Sequence, residues 1–210
     1  MVPSIDLRPH LLPVRDQGRR QSCLAFASSA AHEHQVGPGE LLSVEYLFYH
    51  AVARMPGANP SAGTTMAAAA AALANDGQPV EAAWPYSSVQ VAPWAPPTVS
   101  TALYKTGMTP GKLTFGEIVA ALDQSHPVIL GLAITDAFWR PDTNGRIPNF
   151  STDTERGGHA VLAVGHGIWA DGVPALLVRN SWGNGWGQGG HAWVSHSYID
   201  RQLLQTAILA

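Results

Sequence analysis

Charged residues are scarce in this chain, and basic residues are scarcer than acidic ones. Of its 210 residues, 12 are Lys or Arg and 15 are Asp or Glu, which gives a formal net charge of −3. Nucleic-acid binding depends on clustered Lys and Arg that neutralise phosphates, so we expect no nucleic-acid partner. The adjacent pair Arg19 and Arg20 is a local exception, which we interpret as a solvated loop face.

Cysteine occurs once, as Cys23. A disulfide within the chain is therefore excluded, which suits a reducing compartment. Long apolar runs are lacking as well: the alanine-rich stretch 66–74 is shorter than the roughly 20 residues that span a bilayer, and we recognise no secretory signal. We therefore expect a cytoplasmic protein without membrane contact. Export by an unseen signal and excision from a longer protein are the alternatives.

The distribution of sequence patterns predicts an α+β fold. Helical patterns fill the first half, with helices predicted from Ser22 to about His34, after Ser43, and over 66–74. Gly37-Pro38-Gly39 is predicted to stop the first of them. A further helix is predicted to begin with a capping box at Thr114 and Glu117. Strand patterns fill the second half, at Val128–Ile134, His159–Val164, Ala175–Asn180 and His191–Ser195. No βαβ alternation or internal repeat is evident. We expect a mainly helical domain over 1–100 and a β-rich domain over 101–210, with an N-terminal strand able to cross between them.

Cys23 follows a glycine-broken loop and lies at the start of the first predicted helix. Unpaired backbone N–H groups at a helix N-terminus favour a thiolate, which is the reactive form of cysteine. A lone cysteine is more often a small buried hydrophobic residue. The position alone therefore does not decide between the two interpretations.

Three further residues favour a nucleophilic cysteine. Such a nucleophile needs a base, a group that orients the base, and donors for the oxyanion. His159 follows two glycines that leave its ring unobstructed, and Asn180 ends a predicted strand from which its amide can face the imidazole. Gln17 can offer a side-chain N–H beside the backbone N–H of Cys23.

These residues belong to motifs that recur in one order across nearly the whole chain. In chain order the motifs are Pro13–Gly18, Ser22-Cys23 with Ala25-Phe26, Leu42–Leu47, Gly63, Gly77 with Trp84-Pro85-Tyr86, Gly158–Val161, Asn180–Gly183 and Gly185-Trp186-Gly187. Together they resemble the motifs of papain-family cysteine peptidases.

The resemblance implies a two-domain fold, with a helical left domain, a β-barrel-like right domain and the active-site cleft between them. It implies that Cys23 is the nucleophile, His159 the acid/base and Asn180 the group that orients His159. Gln17 would complete the oxyanion site with the Cys23 amide, and Trp182 would shield the hydrogen bond between Asn180 and His159 from water.

Substrate contacts follow from the same resemblance. Gly63 and Gly158 resemble the residues whose backbone pairs with an extended substrate. Gln21 and Ser22, immediately before the nucleophile, are expected to line the cleft. The expected partner is a peptide or protein substrate, and the sequence makes no prediction of the oligomeric state.

The chain departs from the family pattern around the nucleophile and near its end. Arg20, Gln21 and Leu24 replace the disulfide cysteine, glycine and tryptophan that usually flank the nucleophile. We expect Gln21 and Leu24 to change the shape of the cleft floor. After Trp186 only a short tail remains, which leaves part of the specificity pocket without assigned walls. We recognise no inhibitory propeptide, so we expect another form of restraint or excision from a longer protein.

The leading hypothesis is hydrolysis of peptide bonds through a thioester acyl-enzyme. The same triad also serves isopeptidases, deamidases and acyl transferases, and a peptide-binding module that has lost turnover would keep the cleft. His32 and His34 lie two apart on a helix and do not share a face, so we expect no metal and no cofactor. Glu45 and Glu81 are interpreted as helix-end or surface residues rather than catalytic carboxylates.

Overall fold

The fold is described from a computed structural model that covers residues 2–37, 39–150 and 152–210. Within these ranges the chain forms five α-helices and one antiparallel sheet of seven strands, which confirms the α+β class. The helices are α1 (Cys23–Val36), α2 (Val44–Val52), α3 (Met66–Asn75), α4 (Phe115–Asp123) and α5 (His196–Gln202). The strands are β1 (Val2–Asp6), β2 (Met108–Gly111), β3 (Val128–Thr135), β4 (Glu155–Ile168), β5 (Pro174–Arg179), β6 (His191–Ser195) and β7 (Leu203–Leu209).

Helices α2, α3 and α4 begin directly after residues whose side chains cap them. The hydroxyls of Ser43, Thr65 and Thr114 accept hydrogen bonds from backbone N–H groups in the first turns of α2, α3 and α4. Such caps satisfy donors that have no partner within the helix. Helix α1 ends at Val36, close to the predicted stop. Pro38, part of that predicted stop signal, lies outside the described residues.

Helix α1 is buried on all sides, because every residue from Leu24 to Glu33 is buried. A helix without a polar stripe belongs in a core. It packs against β4, and the two elements meet near the first residue of α1, which is Cys23. This packing places the predicted nucleophile next to the strand that carries His159.

The sheet has the strand order β2-β7-β3-β4-β5-β6, and β1 pairs with a further part of β4. Strand β4 is long enough to hold β3 along its first part, β1 at its end and β5 along its second half. Among the described strands β2 and β6 do not pair, so the sheet is open rather than closed into a barrel.

Two terminal segments contribute more to the sheet than their sequence patterns indicate. The predicted extended N-terminal stretch contains β1, which pairs with β4. The expectation of only a short tail after Trp186 is wrong, because α5 and β7 follow the predicted strand His191–Ser195, which is β6. Strand β7 lies between β2 and β3 and is therefore part of the interior of the sheet. None of the helices within the described ranges is long and apolar enough to cross a membrane.

Candidate active site

The residues proposed for catalysis come together from three elements. Cys23 is the first residue of α1, and His159 lies in β4 where the strand passes from exposed to buried positions. Cys23 and His159 line the same cavity, of about 410 Å³. Asn180 directly follows β5, which is hydrogen-bonded to β4.

The orientation of the His159 ring follows from its contact with Asn180. His159 Nε2 lies 2.7 Å from Asn180 Oδ1, and the backbone N–H of Ser181 also donates to that oxygen, at 2.8 Å. Because a backbone N–H can only donate, Oδ1 is the acceptor and Nε2 carries the proton. In the neutral ring, Nδ1 is then the acceptor nitrogen, able to take a proton from a thiol.

Burial opposes a charge on either reacting group alone. It lowers the pKa of His159 to about 4, against which the hydrogen bond with Asn180 acts weakly. Burial also raises the pKa of the Cys23 thiol, while the backbone N–H groups of Ala160, Leu24 and Cys23 itself act to lower it. Each group taken singly is therefore neutral at pH 7.

Gln17 is held at both ends of its side-chain amide. Its Nε2 donates to the carbonyl oxygen of Arg20 at 2.8 Å, and its Oε1 accepts from the hydroxyl of Ser181 at 2.7 Å. Since the Arg20 carbonyl can only accept, the amide orientation is fixed. The second N–H of Nε2 remains for another acceptor, and Gln17 lines the larger part of the cleft.

Ser22 does not lie in the cleft, contrary to the expectation from sequence. It is fully buried, and its hydroxyl lies 2.8 Å from the hydroxyl of Tyr86. Tyr86 in turn donates to the backbone carbonyl of Gln17 at 2.7 Å, so Ser22 is the donor to Tyr86. Ser22 and Tyr86 therefore support the backbone of the Gln17 loop from the side away from the cleft.

Arg20 is also buried, so the interpretation of Arg19 and Arg20 as a solvated face is wrong for Arg20. Its side chain is 8% exposed and forms two hydrogen bonds with Glu45, at 2.6 and 2.7 Å. Glu45 accepts a further bond from the Trp94 indole N–H at 2.6 Å. Arg20 thus ties the loop before Cys23 to α2 and to the segment around Trp94, at the position where the family usually has a disulfide cysteine.

An aromatic cluster covers the hydrogen bond between His159 and Asn180. The Trp182 ring lies 4.6 Å from the His159 ring, and Trp139 stacks on Trp182 at 4.4 Å. Phe138 is fully buried and packs edge-on against both His159 and Trp182. These rings limit the access of water to the imidazole.

The cleft has two parts that share Gln21, Gly158 and His159. The larger part, about 1060 Å³, also contains Gln17 and Trp182, whereas the smaller part contains Cys23 and Gly63. Gly158 is exposed and has open space where a Cβ would lie, so its backbone is accessible. Gly63 has φ +76°, a conformation that glycine adopts without strain, and lies directly against Gln21.

Sequence reasoning missed several residues of the site. Ser181 was part of a matched motif, and only the structure shows that it holds both Gln17 and Asn180. Trp139 was not singled out, and only the structure shows that its ring is exposed beside Arg140, which is typical of a binding surface. Leu204 and Gln205 of β7 line the smaller part of the cleft, in the region described as a tail.

The described residues include no group of three or more His, Cys, Asp or Glu side chains placed to hold a metal ion. His32 is buried, with Nδ1 2.9 Å from Gln78 Oε1.

Comparisons of sequence match the chain to one protein family. The family description "Papain family cysteine protease" matches residues 1–207. The oryzain gamma chain of Oryza sativa subsp. japonica is 30% identical over 85% of this chain and 50% of its own length. The thiol protease aleurain of Arabidopsis thaliana is 32% identical over 85% of this chain and 51% of its own length. The chain thus spans about half the length of these relatives.

Comparisons of structure confirm the predicted papain-like fold. Xylellain, a cysteine protease from Xylella fastidiosa, has a TM-score of 0.84 at 25% identity and covers 100% of this chain and 86% of its own. The bromelain protease from Ananas comosus, solved in complex with the E64 inhibitor, has a TM-score of 0.77 at 22% identity, with 100% of this chain and 99% of its own covered. With the family match and the curated relatives, they lead to one conclusion: the chain belongs to the papain family of cysteine proteases.

Proposed function

We propose that the protein is a cysteine peptidase that hydrolyses peptide bonds through a thioester on Cys23. One observation carries the proposal. Cys23 and His159 line one cavity, and Asn180 fixes Nε2 of His159 as the protonated nitrogen, which leaves Nδ1 to accept the thiol proton. Membership of the papain family of cysteine proteases supports the same activity.

The first step is transfer of the Cys23 proton to His159. Burial opposes a lone thiolate and a lone imidazolium, but the transfer creates both charges together. The pair has no net charge, and each member stabilises the other. The backbone N–H groups around the sulfur, including that of Ala160, further favour the thiolate.

The thiolate then attacks the substrate carbonyl carbon, forming a C–S bond while an electron pair moves to the oxygen. The oxyanion accepts hydrogen bonds from Gln17 Nε2 and the Cys23 backbone N–H. When the intermediate collapses, the C–N bond breaks and the His159 imidazolium gives its proton to the leaving amine. Neutral His159 next takes a proton from water, and the water oxygen attacks the thioester carbon. The C–S bond then breaks, His159 returns the proton to the sulfur, and the carboxylic acid and Cys23 are released.

The test is direct detection of the acyl-enzyme. A peptide mixture is incubated with the protein, quenched in acid, and both peptide fragments and intact protein are analysed by mass spectrometry. We expect new peptide termini and a covalent adduct that maps to Cys23, and neither product with the Cys23→Ala variant.

Isopeptide-linked conjugates, glutamine-containing peptides and amine acceptors are assayed in parallel with the same protein. Turnover of one of these substrates without peptide cleavage would replace the peptidase by an isopeptidase, deamidase or acyl transferase. Absence of any adduct and any product would leave a peptide-binding module and contradict the proposal.

A further inference from the structure

The two parts of the cleft differ in charge. The larger part is lined by Arg19, Arg20, Arg140 and Arg156, with Asp16 as the one carboxylate among its described lining residues. The smaller part is lined by uncharged residues and His159 within the same described set. Four of the 12 basic residues of a chain with a net charge of −3 therefore line one part of the cleft.

Two of these arginines are available to a ligand. Arg19 and Arg140 are both exposed, and no ion pair or side-chain hydrogen bond engages either of them within the part of the chain that the structure describes. A guanidinium presents several N–H donors in a plane that matches a carboxylate. The two side chains can thus bind carboxylates without first giving up a protein partner.

The other two arginines both have a carboxylate partner, but their ion pairs differ in burial. Arg20 is held by Glu45 in the buried pair described above. Arg156 binds Asp136 through two bonds of 2.7 Å, but both side chains are about half exposed, at 53% and 50%. Exposed ion pairs contribute little stability, so Arg156 can exchange Asp136 for a ligand at low cost.

An aromatic surface adjoins these charges. Trp139 is 51% exposed although it stacks on Trp182, and it directly precedes Arg140. A large exposed aromatic ring in a cleft offers apolar area on which a polypeptide can lie. The larger part of the cleft therefore combines a surface for a chain with guanidinium groups for its side chains.

We propose that this part of the cleft is a subsite for acidic side chains, so that the protein selects polypeptides with Asp or Glu on one side of the scissile bond. On the other side, in the part that contains Gly63, it accepts uncharged residues. Cleavage of a bond in the bound polypeptide rests on the proposed peptidase function. Recognition of acidic side chains needs no turnover and can be measured separately.

The test measures binding to the Cys23→Ala variant, which cannot form a thioester. The probes are fluorescein-labelled ten-residue peptides of one sequence, in which three consecutive positions on either side of the centre are Glu or the isosteric Gln. We expect Glu on one side to bind roughly tenfold more tightly than Gln at low salt, since two or three exposed ion pairs each contribute modestly. Glu on the other side gives no gain, and the preference shrinks toward unity in about 0.5 M NaCl.

Two double variants separate a local effect from net charge. Arg19→Gln with Arg140→Gln removes both free guanidinium groups, while Lys112→Gln with Arg201→Gln removes the same charge away from the cleft. The first pair is expected to abolish most of the preference for Glu and the second to preserve it. Equal binding of Glu and Gln peptides, or an equal loss in the two double variants, would overturn the subsite.

Cleavage of the same peptides by the protein with Cys23 intact distinguishes the two proposals. Selective binding without cleavage contradicts the peptidase and leaves the acidic subsite in place. Cleavage without any preference for Glu contradicts the subsite and leaves the peptidase in place.

Discussion

At the residue scale, the side-chain amide of Gln17 is already fixed in the orientation that its proposed role requires. The Arg20 carbonyl and the Ser181 hydroxyl fix the two ends of its amide. The side chain therefore loses little further freedom when it donates to an oxyanion, and such preorganised donors stabilise the transition state more than the ground state.

The first prediction concerns Gln17→Ala. Because the lost bond is made mainly in the transition state, kcat for peptide hydrolysis should fall by about 10²–10³ while KM changes little. Gln205→Ala is the matched control, since Gln205 also lines the cleft but in the part away from Gln17; it should change KM more than kcat. A kcat for Gln17→Ala within about twofold of the unaltered protein would contradict the role of Gln17.

Arg20 and Arg19 show how far two adjacent residues of one type can differ. Arg20 donates to Glu45 and to the Ser87 carbonyl, and its guanidinium lies over the Trp94 ring, whereas Arg19 is exposed. Sequence reasoning did not separate them, because the partners of Arg20 come from distant parts of the chain. Its buried environment becomes visible only once α2 and the segment near Trp94 are placed beside the loop.

The second prediction compares Arg20→Met with Arg19→Met in urea unfolding. Arg20→Met leaves Glu45 buried without its cation and should lower the unfolding free energy by about 3–5 kcal/mol. Arg19→Met should change it by less than about 0.5 kcal/mol, as for most surface substitutions. Equal effects of the two substitutions would show that the pair of Arg20 with Glu45 does not anchor the loop.

At the element scale, sequence patterns located α2, α3 and α4 well because their caps are local, whereas α5 was not predicted. The predicted third helix, 66–74, differs from α3 by one residue, and the Thr114 capping box of α4 is present as expected. Strands β2 and β7 escaped prediction for a different reason. Strand β2 contains Pro110, and both strands depend on partners far away in sequence.

The third prediction compares two glycines at helix ends. Gly77 follows α3 with φ +73°, and a Cβ there would lie 2.5 Å from the Tyr104 carbonyl oxygen. Gly77→Ala should therefore lower the unfolding free energy by about 2 kcal/mol or more. Gly116, in α4, has open space around its Cα, so Gly116→Ala should raise it by about 0.5–1 kcal/mol. Thermal or urea unfolding that gives both variants the same sign would contradict the described backbone.

At the scale of the whole molecule, the site depends on the assembly of segments from both ends of the chain. Gln17 and Cys23 come from the first helical region, and His159 and Asn180 from neighbouring strands of the sheet. The resemblance to the papain family gave the sequence positions of these residues, and the structure added their contacts. Residues 101–210 do form most of the sheet, but the domain division near residue 100 stays a prediction.

The fourth prediction concerns the dependence of stability on pH. Burial lowers the pKa of His191 to about 4. The ring lies near Asp6, Arg8 and Arg179, and its Nδ1 donates a hydrogen bond to the Gly189 carbonyl oxygen. Between about pH 6.5 and pH 4 the unfolded state binds more protons at this histidine than the folded state, so acidification destabilises the fold. From pH 7 to about pH 5 this single group should cost about 2 kcal/mol.

The matched measurement is urea unfolding of His191→Gln, which stays uncharged throughout. The variant should lose about 2 kcal/mol less than the unaltered protein between the two pH values. Burial raises the pKa of Glu33, so acidification adds stability at this residue. This contribution is the same in both proteins and cancels in the comparison. Identical losses in the two proteins would show that His191 is not held neutral.

The central claim is that Cys23 and His159 share one proton and act as a pair. The measurement that tests it most directly is the rate of alkylation of the single cysteine by iodoacetamide from about pH 4 to pH 10, in the unaltered protein and in His159→Ala. We predict fast alkylation at about pH 5–6 in the unaltered protein, and in His159→Ala a rate that rises only near or above the ordinary thiol pKa of about 8.5. Profiles that coincide and rise only above about pH 8 would contradict the pair.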